Sequence, residues 1–270
     1  MNWLLSEIAQ AAGGRLCGPD QNVSGVSSDT RAIGPGQLFV ALRGERFDAH
    51  DFLTQAVTAG AVALLVADEA RVPVGVTALV VDDTRLALGR IAAAWRARFT
   101  IPVIAVTGSN GKTTTKEMIA AILKVHFGAA VLATRGNLNN DIGLPLTLLG
   151  LGESHRAAVI EMGMNHPGEI AYLAGLGAPT VAVVTNAQRA HLEGMGGLDE
   201  VAREKGSIFS GLAADGVAVI NADDAYAGLW REMAAGHEQR SFGIEQPADV
   251  RGALRQHGLE TLVTLQSPEG

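Results

Sequence analysis

The stretch Ile101–Thr115, IPVIAVTGSNGKTTT, constrains the fold of this 270-residue chain more than any other. A short apolar run empties into a glycine-containing turn that closes on Gly111, Lys112 and Thr113. A helical pattern follows, with Met118 and Ile122, then Ile119 and Leu123, at i,i+4 spacing. Strand, loop and helix in that order place backbone N–H groups and a helix N-terminus where the phosphates of a nucleotide can sit. Gly108 and Gly111 let the backbone approach those phosphates. Lys112 offers a mobile charge for the outer phosphates, and the Thr113 hydroxyl a ligand for Mg²⁺. The common pattern has a glycine six residues before the lysine. Val106 stands there instead, so the loop is a compact variant built on Gly108. The bland alternative is a strand-to-helix turn with a solvated lysine. The clean strand before the turn and the helix after it favour ATP or GTP.

Alternating helical and strand patterns run through the first eighty residues. Trp3–Ala12 reads as a helix stopped by Gly13 and Gly14, residues 37–42 as a strand, and Asp51–Ala59 as a helix. Residues 61–66 and 77–81 read as strands. Asp82, Asp83 and Thr84 offer a cap for a helix running toward Phe99. The expected organisation is therefore α/β. A small N-terminal α/β domain over residues 1–82 precedes a P-loop central domain over residues 83–270. In the central domain, residues 157–161, 180–186 and 216–221 read as strands with helices between. That alternation predicts a mostly parallel sheet covered on both faces, its ligand groups at the strand C-termini. The phosphate loop after Val106, Glu161, Asn186 with His191, and Asn221 all fall at such ends. Residues 250–265 read as short strands about His257 and Gly258, with no further α/β unit after them.

Composition sets the outer bounds. With 47% hydrophobic and 18% charged residues the chain has the make-up of a soluble α/β protein. A net charge of −7 argues against nucleic acid as a main partner. A single cysteine, Cys17, fits a reducing compartment. The N-terminus lacks the basic region and cleavable apolar core of a signal peptide, and no run approaches the length of a membrane span. A cytoplasmic location with no membrane insertion is the expectation.

The chain resembles the Mur ligases, most closely the branch that adds D-alanyl-D-alanine in peptidoglycan synthesis. The resemblance rests on Ser28–Arg31, Gly36–Leu42 and Phe47–Phe52 in the first domain. In the second it rests on Thr107–Thr113, Thr134–Pro145, Ile160–Met164, Thr185 with Asn186, His191–Glu193, Lys205 and Asn221–Asp224. Residues 137–145 and the Glu161–Met164 run select the dipeptide-adding branch. Thr30 stands where Ser is usual, and Ala49 where Gly is usual. The resemblance implies a reaction: ATP phosphorylates the terminal carboxylate of UDP-N-acetylmuramoyl-tripeptide, and the amine of D-Ala-D-Ala attacks the acyl phosphate. It implies Mg²⁺, a monomeric enzyme, and a C-terminal domain that this sequence lacks. The parent is then expected to be an ATP-dependent ligase, and the 270 residues alone to ligate little. Two alternatives stand beside this reading: a binding module for UDP-substrate and nucleotide that cannot ligate, and another amino-acid-adding ligase of the same superfamily.

Residue roles follow, some from chemistry and some from the resemblance. Thr107, Gly108, Ser109, Asn110, Gly111, Lys112, Thr113 and Thr114 form the nucleotide cradle. Glu161 ends an apolar strand and either caps a helix or, with Thr113, takes Mg²⁺. His191 enters as a catalytic and metal residue by resemblance alone, since imidazole is a poor Mg²⁺ ligand. Lys205 sits inside the apolar stripe Leu198, Val201, Ile208, Phe209 and Leu212 of an expected helix Leu198–Ala213. It either snorkels to the core edge or loses its proton there. The resemblance implies a carbamate on it, bridging metals, and so places Lys205 with Lys112, Glu161 and His191 among the catalytic residues. Asn221 either turns the chain or meets adenine. Asn137, Asn139 and Asn140 either build a turn or face the muramoyl-peptide. Ser28, Asp29, Thr30, Arg31, Arg43, Gly44, Asp48 and His50 are candidates for the UDP end, although Asp29 with Arg31 makes an equally good local ion pair.

Overall fold

A computed structural model describes residues 1–44, 47–188, 196–258 and 260–268. Two compact units emerge: Met1–Thr100 with Asp141–Ser154, and Ile101–Asn140 with His155–Gly270.

The first unit is built on a five-stranded sheet in the order Arg15–Cys17, Ala78–Val80, Ala61–Val66, Gln37–Val40, Gly25–Ser27. The first pair is antiparallel and the rest are parallel. The central strand Ala61–Val66 is apolar throughout because both its faces are covered. Phe39, Leu53, Leu64 and Val66 form the core between this sheet and the helix Leu53–Thr58. The first helix is shorter than its sequence pattern, spanning Leu5–Ala12, because Trp3 and Leu4 pair instead with Asn22 and Val23. It ends as expected: Gly13 takes the left-handed conformation and Gly14 N–H donates to Ala9 O at 2.9 Å. Asp83 caps the helix Thr84–Arg96 through the N–H groups of Arg85 and Leu86.

That helix belongs to the first unit, so the contact division falls at residue 100 rather than at the expected 82/83 boundary. Its apolar face carries Leu88, Ile91 and Trp95, all buried, and packs on Leu5–Ala12 and on Gly143–Leu148. Trp95 Nε1 donates to Leu151 O at 3.0 Å. A cap in sequence marks where a helix starts, not which core it serves.

The second unit holds an eight-stranded sheet. Its order is Val131–Ala133, Ala157–Glu161, Val103–Thr107, Val181–Val184, Val217–Asn221, Glu238–Gly243, Val250–His257, Glu260–Gln266. All neighbours are parallel except the last pair, an antiparallel hairpin. The expected mostly parallel sheet is therefore present. Val106 lies opposite Glu161, and Thr107 opposite Val184, so three strands deliver their C-terminal residues to one edge of the sheet.

Two expected helices differ in detail. In Lys112–Phe127 the face bearing Ile119, Ala120, Leu123 and Phe127 packs on the sheet, while Met118 and Ile122 are exposed. The expected helix Leu198–Ala213 is an α-helix only to Gly206, then a 3₁₀ turn over Ser207–Gly211. Ser207 and Ser210 hydroxyls donate to Glu204 O and Ser207 O, competing with the regular ladder. Among the described residues no helix is long and apolar enough to cross a membrane.

Candidate active site

The phosphate loop leaves the sheet at Thr107, whose buried hydroxyl donates to Met162 O at 2.9 Å. Gly108 follows at φ 151°, and a Cβ there would overlap the Thr185 hydroxyl, so glycine is needed on both conformational and steric grounds. The next two residues are bolted to the neighbouring strand end. Ser109 N–H donates to Asn186 O at 2.9 Å, and Asn110 N–H to Asn186 Oδ1 at 2.9 Å. Ser109 Oγ accepts from Gln188 N–H at 2.8 Å, and Asn110 Nδ2 donates to Gln188 Oε1 at 2.6 Å. Gly111, at φ 77°, starts the helix Lys112–Phe127. Thr113 and Thr114 occupy its first turn, where backbone donors are not consumed by the helix. The helix N-terminus is therefore the part of the loop that offers N–H groups to an anion.

Lys112 folds back on this loop, its Nζ donating to Gly108 O at 2.8 Å and Ser109 O at 3.2 Å. Burial lowers its pKa, and the Glu161 charge opposes that effect.

Glu161 is the hub of the site. Its carboxylate is buried and accepts from Thr113 Oγ1 at 2.9 Å and from Asn139 Nδ2 at 2.8 Å. Its own N–H donates to Thr134 Oγ1 at 3.0 Å. The structure thus brings together Thr113, Glu161 and Asn139, which the sequence spreads over 49 positions (113 to 161, inclusive). A carboxylate and a hydroxyl oxygen beside phosphate sites suit Mg²⁺, which takes few protein ligands and completes its shell with phosphate and water. No cluster of three acidic, His or Cys side chains exists among the described residues, as a site for a borderline metal would need. Asn137 is exposed and its carbonyl accepts the Asn139 N–H at 2.8 Å, which is turn chemistry. Asn140 is exposed beside it.

Lys205 is 2% exposed. Burial, helped by the Lys112 charge and opposed by Glu204, pushes its pKa down to about 7. A substantial fraction of this amine is therefore neutral near pH 7. His191 lies outside the described residues.

Beside the loop is a cavity of about 480 Å³ whose lining includes Ile119, Val183, Val219 and Phe242 together with Asn110, Thr185, Asn186 and Asn221. Asn221 is engaged in the fold, with Nδ2 donating to Thr185 O at 2.8 Å and Oδ1 accepting from Asp223 N–H at 3.0 Å. Asn221 therefore turns the chain, as one alternative of the sequence analysis expects, and it also lines the cavity. The first unit has its own cavity of about 600 Å³, lined by Ser28, Asp29, Thr30, Arg31, Phe39, Phe47, Phe52 and Gln55.

Four of the eight UDP-end candidates line that cavity, and the other four do not. Asp29 and Arg31 are bidentate partners, 2.9 and 2.8 Å apart, and the guanidinium holds the Asp29 pKa down to about 2. His50 is buried: its Nε2 accepts the Ala67 N–H at 3.0 Å, so its ring proton sits on Nδ1 and goes to Asp48 at 2.6 Å. Asp48 also takes Arg43 and Arg71. Burial alone would raise its pKa, but the His50 backbone and ring and the Arg71 guanidinium hold it well below the usual carboxylate range. Gly44 is exposed and pairs with Phe47. The clamp Arg43–Asp48–His50–Arg71 instead positions the turn that bears Phe47 and Phe52, whose rings stack at 5.4 Å. The sequence reading did not single out these two cavity-lining aromatics. Their signal was two bulky aromatics bracketing a polar turn, a poor place to bury them.

A strand–loop–helix cradle at the C-terminal edge of a parallel sheet, with a buried carboxylate across from it, defines a P-loop α/β protein. The chain belongs to the Mur ligase family: the Mur ligase middle domain matches residues 106–269, and the family's catalytic domain residues 22–96. It is 46% identical to the UDP-N-acetylmuramoyl-tripeptide–D-alanyl-D-alanine ligase of Escherichia coli (strain K12), over 98% of this chain and 58% of that relative. A crystal structure of MurF from Acinetobacter baumannii superposes with a TM-score of 0.91 at 39% identity, covering 100% of this chain and 59% of that one. MurF ligase from Thermotoga maritima in complex with ADP gives 0.78 at 29% identity, over 90% and 55% of the two chains. The chain thus spans less than two thirds of the length of these relatives.

Proposed function

We propose that this chain supplies the nucleotide and UDP-substrate sites for ATP-dependent ligation of D-alanyl-D-alanine to UDP-N-acetylmuramoyl-tripeptide, in the cytoplasm and as a monomer. The observation that carries the nucleotide half is the junction of Thr113 and Glu161 at 2.9 Å, set beside a helix N-terminus and Lys112. The names of the relatives and the ADP complex of one of them support it.

In this reading residues 107–114 cradle the phosphates, and the apolar cavity beside Asn221 takes adenine. Thr113 and Glu161 would hold Mg²⁺, with His191 added by the resemblance alone, and the ion would screen the charge that builds on the transferring phosphoryl group. Lys112 leaves its loop carbonyls for the outer phosphate oxygens, a rearrangement that costs little because those carbonyls are exchanged for a stronger, charged acceptor. Asn139 holds Glu161 in place and, with Asn137 and Asn140, meets the muramoyl-peptide. The stacked Phe47 and Phe52, with Ser28–Arg31, receive the uridine end in the first unit. The neutral Lys205 amine adds CO₂, forming an N–C bond and releasing one proton, and the carbamate then serves as a further anionic metal ligand. An intact-mass measurement in bicarbonate showing only the free amine would count against that last step.

The test is calorimetric titration of this chain with UDP-N-acetylmuramoyl-tripeptide and then with ATP and Mg²⁺, with Lys112→Ala as control. Binding of both by the parent and loss of ATP alone in the variant is the expected result. A folded chain that binds neither would overturn the proposal.

A further inference from the structure

The phosphate-loop helix carries a second lysine for which the proposed chemistry has no use. Lys116 lies one turn after Lys112 and its side chain is fully buried. It occupies the same inward face as Ala120 and Leu123, where an apolar residue would pack without penalty. Burying an ammonium costs several kcal/mol unless it is well paired. Here Nζ donates to Thr134 O at 2.8 Å and to Glu117 Oε1 at 2.7 Å. Lys116 in turn holds the Glu117 carboxyl below the usual range.

The partner Thr134 explains the placement. It follows the strand Val131–Ala133, and its N–H donates to Val159 O at 3.0 Å. Its hydroxyl accepts the Glu161 N–H at 3.0 Å. From Thr134 the chain runs on to Asn139, whose amide holds Glu161 Oε1 and whose carbonyl accepts from Gly163 N–H at 2.8 Å. Lys116 therefore links the helix that carries Thr113 to the segment that orients Glu161. The helix also packs on the strands that lead to Thr134 and Glu161 through Ile119, Ala120 and Leu123, and Lys116 adds to that apolar contact a directional tie to Thr134 itself.

We propose that Lys116 is a positioning residue that sets the separation of the Thr113 and Glu161 oxygens by clamping the phosphate-loop helix to Thr134. The inference rests on the nucleotide–Mg²⁺ reading of the site. It predicts that Lys116 matters for the metal-dependent part of nucleotide affinity and hardly at all for the metal-free part.

The experiment is titration of the 270-residue chain with ADP, with and without Mg²⁺, in the parent, Lys116→Met and Thr134→Val. Methionine fills the volume without the charge. Valine keeps the Thr134 carbonyl for Lys116 but removes the acceptor of the Glu161 N–H. Lys116→Met should bind ADP alone within about twofold of the parent and lose about tenfold of the gain that Mg²⁺ brings, the range seen when groups behind metal ligands are removed. Thr134→Val should lose part of the same gain. A merely structural lysine would lower the melting temperature and leave the Mg²⁺ gain intact, which overturns the inference. If Lys116→Met does not fold, Lys116→Gln, whose shorter side chain cannot reach the Thr134 carbonyl, takes its place, and a full Mg²⁺ gain in that variant overturns the inference equally. A parent that binds no ADP would sink the nucleotide reading and this inference together, whereas a parent that binds and a variant with full gain would sink this inference alone.

Discussion

Lys205 carries its proton in the folded chain only against the cost of burial, and that cost has a pH signature. Below about pH 7 both folded and unfolded chains are protonated there; between 7 and 10.5 the unfolded chain binds a proton that the folded chain does not. Stability therefore rises with pH through that window and levels off above it. In CO₂-free buffer, urea melts at about pH 6.5 and about pH 9.5 should show the parent gaining of the order of 3 kcal/mol relative to Lys205→Met. Parallel curves for the two chains would mean that the lysine keeps its charge. Gly108 makes a different demand. Alanine there meets both the φ of 151° and the Thr185 hydroxyl, so a loss of about 2–4 kcal/mol is expected, with ADP binding abolished. Adding Thr185→Ala should recover the collision part of that loss and leave the φ part, as read by the melts of the single and double variants.

At the scale of elements, the turn at Gly206 is held by Trp230, which is fully buried and whose Nε1 donates to Ala202 O at 2.9 Å. A Cβ at Gly206 would lie 2.8 Å from that indole. Trp230→Ala should cost about 3–5 kcal/mol and free the Leu198–Gly206 helix from the helix Ala227–Met233, which a melt and the near-ultraviolet circular dichroism would both register. Elements of this kind were legible where a period or a cap announced them. The phosphate-loop strand and helix, the Asp83 cap and the lysine in the Leu198 stripe could all be read directly. The short strands Arg15–Cys17, Gly25–Ser27 and Val131–Ala133 could not, since three residues give no period and their pairing is decided by partners far along the chain. Lys116 carried the same sign as Lys205, a lysine on the inward face of a helix, but the exposed Met118 and Ile122 obscured which face was inward. The Asp48–His50 clamp was invisible because its partners, Arg71 and the Ala67 N–H, lie beyond any local pattern.

On the scale of the whole molecule, each unit brings its own cavity, so ligands should leave separate footprints. Hydrogen exchange with ADP and Mg²⁺ is expected to slow at residues 109–116 and 185–188, and with UDP at residues 28–31 and 47–55, where the two cavities lie. Swapped or absent footprints would undo the assignment of nucleotides to units. The helix Gly143–Leu148 has a further consequence. It is encoded after the phosphate loop, yet it seals the first unit, with Leu144, Leu148 and Leu151 buried there and Trp95 bonded to Leu151. On a ribosome the first hundred residues thus emerge before their own lid exists, and must wait for roughly fifty more to be translated, a few seconds at ordinary elongation rates. During that interval the face of Leu88, Ile91 and Trp95 lacks part of its cover. Nascent chains halted at Asn140 should therefore be captured by chaperones more readily than chains halted beyond Ser154.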